Sequence, residues 1–88
     1  MLYLSIMVEY EWRSYDCNDD CWDDLDTKQE ISEALADDNK ELWLYRWTDS
    51  HGLTDTAEVK DGKLPEYMPE EGYKVPKRFH QMLERLAT

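Results

Sequence analysis

Residues Leu2 to Trp12 alternate without interruption. Leu2, Leu4, Ile6, Val8, Tyr10 and Trp12 face one way; Tyr3, Ser5, Met7, Glu9, Glu11 and Arg13 face the other. A period of two held over this length predicts a β-strand with one buried face, whose outer face turns polar towards its end. Such a strand needs sheet partners and an apolar layer over its buried side. The 88 residues can supply these around one core only, since a chain this short buries too small a fraction of its surface for two.

The remaining segments supply the partners. Thr27 to Asp38 is a predicted helix: Thr27-Lys28-Gln29-Glu30 matches a capping box, Leu25 is placed to pack on Ile31, and Ile31, Ala34 and Leu35 form the apolar stripe. Asn39 is the candidate left-handed C-cap. Glu41 to Thr48 reads as a strand apolar on both faces, with Trp43, Tyr45 and Trp47 on one and Leu42 and Leu44 on the other, the pattern of a central strand. Asp49 to Gly52 is a turn, and Leu53 to Lys60 a second, antiparallel strand. Asp61-Gly62 is a hairpin signal, with Lys63-Leu64 a short returning edge. Pro65 to Val75 is a loop. Pro76 suits the first turn of a closing helix whose stripe is Phe79, Met82, Leu83 and Leu86. The expected fold is therefore α+β: a small, mainly antiparallel sheet of three to four strands with two helices packed on it, in the order β-α-β-β-(β)-α, as a single acidic domain over 1–88.

Ser14 to Asp26 (SYDCNDDCWDDLD) fits this scheme least well. As a helix it would align Cys17, Cys21 and Leu25 but stack Asp16 over Asp20, Asp19 over Asp23 and Asp20 over Asp24. Each like-charge pair costs about 0.2–0.5 kcal/mol, which favours a loop over a helix.

Charge narrows the function classes. The net charge is −11, and it is uneven: residues 1–39 hold twelve acids against Arg13 and Lys28, whereas 40–88 are nearly balanced. Four Trp and six Tyr offset a modest aliphatic content and argue against disorder. Duplex nucleic acid and anionic membranes should be repelled, so direct nucleic-acid or membrane binding is not expected. No apolar run approaches the roughly 20 residues of a membrane span. The first residues lack the basic flank and small-residue cleavage site of a signal peptide, which points to the cytoplasm and to reduced cysteines.

No catalytic constellation is visible, and the expectation is a protein that is not an enzyme and carries no cofactor. His51 lies in a turn and His80 on the polar side of the last helix. The carboxylates lack the contrast of environments that acid–base chemistry needs. Asp16, Asn18 and Asp20 place oxygen ligands as an EF-hand loop begins, but Cys21 stands where glycine is needed and Thr27 where a bidentate glutamate is needed. Cys17 and Cys21 could hold half a zinc site, yet no second pair has ligand spacing; they are expected to pack as small hydrophobes under Trp22. The row Trp43, Tyr45, Trp47 has the spacing of a base-stacking platform but is expected in the core.

The acidic run remains. Asp16, Asp19, Asp20, Asp23, Asp24 and Asp26 are extended by Glu9 and Glu11 on the first strand and by Glu30, Glu33, Asp37 and Asp38 on the helix. Carboxylates about 5–6 Å apart on a helix, or about 7 Å apart on alternate strand positions, approach the spacing of backbone phosphates. Tyr15, Trp22 and Trp12 are the candidate aromatic anchors. In size, acidity and Trp/Tyr content the chain is similar to phage-encoded inhibitors that imitate DNA, such as anti-restriction and anti-CRISPR proteins; the likeness is one of composition, and no motif carries it. It implies an inhibitor, monomer or homodimer, that occupies the basic groove of a nucleic-acid-handling protein. The alternatives are a small metal-binding protein using the acids and the cysteine pair, and a small subunit acting through protein–protein contacts.

Overall fold

The computed structural model describes residues 7–87. The Leu2–Ile6 part of the opening alternation lies outside the described residues; from Val8 onward it is a strand. The elements are β1 (Val8–Asp16), β2 (Cys21–Leu25), α1 (Lys28–Ala36), β3 (Lys40–Thr48), β4 (Gly52–Val59) and α2 (Lys77–Leu86). The four strands form one antiparallel sheet in the order β2-β1-β3-β4. The expected α+β fold holds, with its extra strand in a different place. Lys63-Leu64 contributes only a single bridge, Lys60 to Lys63, closed by Asp61 and Gly62 with φ of 53° and 74°. Positive φ at both central residues is the geometry that matches the twist of a hairpin.

The fourth strand comes from the acidic segment, which is neither loop nor helix but the outer half of a β-hairpin. β1 runs on to Asp16, and Trp12 to Asp16 pair with Leu25 to Cys21. Asp16 Oδ1 accepts from the backbone N–H of Asn18 at 2.9 Å and of Asp19 at 3.2 Å, and Asp20 takes the left-handed conformation with φ 50°. A short aspartate that bonds its own backbone two residues on favours a turn, so the like charges that destabilise a helix here are accommodated at a hairpin tip.

From β2 the chain crosses over β1 through α1 to reach β3. The capping box forms as expected: Thr27 Oγ1 accepts from Glu30 N, and Glu30 Oε1 accepts from Thr27 N, each at 3.1 Å. The C-cap is Asp37, in extended conformation, rather than Asn39; Asp37 Oδ1 accepts from Asn39 N at 2.9 Å.

Strand parity sorts the core. Trp12, Leu42, Leu44 and Ala57 face Ile31 and Ala34 of α1, Phe79 and Leu83 of α2, and Leu64, Met68 and Val75 of the loop between β4 and α2. Phe79 meets Tyr10 at 5.0 Å and Trp12 at 5.7 Å between ring centroids. Both helices thus lie on one side of the sheet. The loop is fastened by Asp55, a β4 carboxylate only 1 % exposed. Its Oδ1 accepts from Thr56 N at 2.8 Å and Glu70 N at 3.3 Å, and its Oδ2 from Glu71 N at 2.9 Å.

Candidate functional site

Alternation that sends Trp12, Leu42 and Leu44 inward sends Glu9, Glu11, Arg13 and Tyr15 of β1 and Glu41, Trp43, Tyr45 and Trp47 of β3 to the opposite face. Trp22 and Asp24 join them from β2, and Thr56 and Glu58 from β4. The row expected in the core, Trp43, Tyr45 and Trp47, therefore lies on the face away from both helices. Its rings are half-buried because they cover one another. Trp22 stands 5.0 Å from Tyr15, 6.0 Å from Trp43 and 5.9 Å from Tyr45, and Tyr45 stacks on Trp47 at 6.4 Å. Trp22 remains 46 % exposed. Trp43 Nε1 donates to Glu41 Oε1 at 3.1 Å.

Arg13 lies across this row. Its guanidinium carbon is 4.6 Å from the Tyr45 centroid and 5.5 Å from that of Trp47. Nη2 donates to Glu11 Oε2 at 3.1 Å, and Nε is 3.0 Å from Asp24 Oδ1. The second contact is an ion pair whose angle falls outside hydrogen-bond geometry.

The residues proposed from sequence fall into three groups. Glu9, Glu11, Trp22 and Asp24 lie on the open face. Asp16, Asp19 and Asp20 form the hairpin tip, and Asp23 and Asp26 continue along the β2 edge. Glu30, Glu33 and Asp37 belong to the helix layer, where Glu30 closes the capping box, Glu33 accepts from Gln29 Nε2 at 3.2 Å, and Asp37 caps the helix. The open face, the tip and the edge adjoin one another along the β1–β2 hairpin; the helix group stands behind it. Trp12 is 6 % exposed in the core and is not a rim anchor.

Local electrostatics follow from this crowding. The Tyr15 hydroxyl donates to Asp20 Oδ1, and that bond, with burial and the negative charge around it, pushes its pKa up to about 12. Cys17 and Cys21 are exposed rather than packed under Trp22. Desolvation raises both thiols; Glu41 and Asp16 add to the shift at Cys17, and Asp23, Asp16 and Asp19 at Cys21. Thiols held protonated are poor nucleophiles and poor metal ligands. Glu30 is lowered by the Thr27 side chain and by the backbone N–H groups of Asp26 and Thr27.

Other chemistry finds little support in the geometry. Ser50 Oγ lies 2.8 Å from His51 Nδ1 in the exposed β3–β4 turn, but no carboxylate among the described residues orients the ring. Among the described residues no three His, Cys, Asp or Glu side chains converge in a group suited to a metal ion. No helix there is long and apolar enough to cross a membrane.

The open aromatic face is what sequence reasoning missed. Its signal was present in the polar side of β1: a central strand paired with β1 must put one of its apolar sets beside Glu9, Glu11 and Arg13. Comparison with protein-family models, curated proteins and solved structures finds no match to this chain.

Proposed function

We propose that this protein works by binding, as an inhibitor that presents the acidic β1–β2 hairpin to a basic groove of a nucleic-acid-handling protein. The observation that carries the reading is the hairpin itself. Asp19 and Asp20 at its tip, and Asp23, Asp24 and Asp26 along its free edge, are all exposed. Within this set Asp24 is tied to Arg13, and Asp20 is held by Tyr15. Strand side chains alternate, so Asp24 points to the open face and Asp23 to the helix side, and the hairpin carries negative charge on both sides of its free edge on a hydrogen-bonded frame. Charge arrays of this kind accelerate encounter with a positive groove and fix its register. Trp22, on the same strand, supplies an exposed ring beside the charges, of the type that anchors an interface.

Asp19, Asp23 and Asp26 can be changed without disturbing the Arg13 and Tyr15 contacts. Immobilised protein is used to capture partners from host lysate at low salt, and captured nucleic-acid-binding proteins are then assayed for DNA or RNA binding in its presence. Stoichiometric loss of nucleic-acid binding is expected, abolished in the folded D19K/D23K/D26K variant and weakened steeply by salt. Equal inhibition by wild type and variant, or captured proteins that keep their nucleic acid, would refute the reading.

A further inference from the structure

The hairpin edge explains the charge but not the five rings beside it. A contiguous aromatic patch on an open sheet face marks an interaction surface; here Trp22 is exposed and the other four rings are half-buried. Tyr15, Trp22, Trp43, Tyr45 and Trp47 form a continuous row of ring contacts. Glu9, Glu11, Asp24, Glu41 and Glu58 share that face. An apolar strip bordered by carboxylates fits an occupant that is both planar or apolar and positively charged.

Arg13 shows how such a group sits. Its guanidinium lies over Tyr45 and Trp47 while two carboxylates, of Glu11 and Asp24, hold its nitrogens. Ring face and carboxylate together are the environment in which a guanidinium is better accommodated than an ammonium, because it is planar, stacks, and is more weakly hydrated. Next to Arg13 the same elements recur around an open depression of about 440 Å³. Its walls include the Trp47 ring and the carboxylates of Glu9, Glu11 and Asp49, with Arg13 as the cation on the wall. Glu11 is engaged by Arg13, which leaves Glu9 and Asp49, both exposed, facing the depression.

From this arrangement we infer that the open face binds an arginine-bearing basic segment of the partner protein, with one arginine side chain entering the depression between Trp47, Glu9 and Asp49. The occupant is assigned by charge complementarity: the face is rich in carboxylates and π-surface and its central cation is already neutralised. This deepens the preceding reading, on which it rests, by naming the side chain recognised and adding a second contact surface to the acidic edge.

The test uses synthetic hexa-arginine and hexa-lysine peptides on the full chain at low salt, followed by the indole N–H resonances of the four tryptophans. Hexa-arginine is expected to shift the Trp47 and Trp22 signals and to leave that of buried Trp12 in place. It should bind measurably more tightly than hexa-lysine, because the planar guanidinium stacks on the rings and is more weakly hydrated. E9Q/D49N, which alters no ion pair among the described residues, should weaken hexa-arginine roughly three- to tenfold and remove the preference over lysine. D19K/D23K/D26K should weaken both peptides alike and keep the preference. Equal binding of the two peptides with unmoved Trp47 and Trp22 signals would overturn the inference, and sensitivity to the edge variant alone would then leave the hairpin reading standing. Failure of both peptides to bind would overturn both. Concentration-dependent dimerisation that shifts the same indoles without peptide would also overturn the inference, by assigning the face to a second copy of this chain.

Discussion

Replacing Asp55 by alanine tests how the β4–α2 loop is held. The carboxylate is almost fully buried and its oxygens accept three backbone N–H groups, from Thr56, Glu70 and Glu71. Bonds to a charged acceptor contribute about 1.5–3 kcal/mol each. The Thr56 bond is local to its neighbour, the Glu70 bond is long at 3.3 Å, and the Glu71 bond at 2.9 Å is the shorter of the two ties to the loop. The cost of burying the carboxylate offsets part of their sum. The two released loop N–H groups belong to exposed residues that water can reach, so the desolvation penalty is not incurred in full. The balance is a loss of roughly 2–4 kcal/mol for Asp55→Ala, and about half that for Asp55→Asn, which keeps one acceptor oxygen. In a domain of this size it lowers Tm by at least about 10 °C. Urea unfolding gives the free energy, and amide exchange at Glu70 and Glu71 gives the location. A change below about 0.5 kcal/mol, with both amides exchanging as before, would refute the role assigned to this carboxylate.

Other expectations follow from the same geometry. Leu44→Ala, at a fully buried position, should cost about 2–5 kcal/mol in urea unfolding, the largest loss for a single apolar truncation in β3. Thr27→Ala should cost about 1 kcal/mol and should lessen the lowering of the Glu30 pKa, which the backbone N–H groups of Asp26 and Thr27 still sustain in part. Because that pKa is depressed on folding, the linked stability is present at neutral pH and disappears as pH falls through the folded value; acid titration by NMR reads it. Tyr15 is raised on folding, so its contribution is complete below the ordinary tyrosine range and is lost as pH climbs towards about 12, and Asp20→Asn should lower its spectrophotometric titration midpoint. Cys17 and Cys21, although exposed, should alkylate more slowly at neutral pH than a free thiol, and D16N/D23N should speed both.

Much of the fold was legible because local and long-range signals agreed. The alternation from Val8 to Trp12, the Thr27–Glu30 box, the Phe79–Leu83 stripe and the Asp61-Gly62 turn each coincide with what they predict. β2 was illegible because Cys-Trp-Asp-Asp-Leu has no period of two and low strand propensity. What makes it a strand is its partner: Tyr15 opposite Trp22 and Arg13 opposite Asp24 are cross-strand pairs that exist only after the hairpin closes. The open face was hidden for a related reason. The proposed acids from Asp16 to Asp24 share one hairpin, in a segment expected to be a loop, because they are close in sequence, whereas the rings opposite come from β3, and only the pairing of β1 with β3 reveals that Trp43, Tyr45 and Trp47 stand beside Glu9, Glu11 and Arg13.

Where the partner touches decides the account. Backbone amide shifts of the labelled protein, recorded with a captured basic partner at low salt, map the contact directly. The expected map runs along Asp19–Asp26 and across Glu9, Arg13, Tyr45 and Trp47. Shifts confined to α2 and the 65–75 loop, with the hairpin silent, would contradict it.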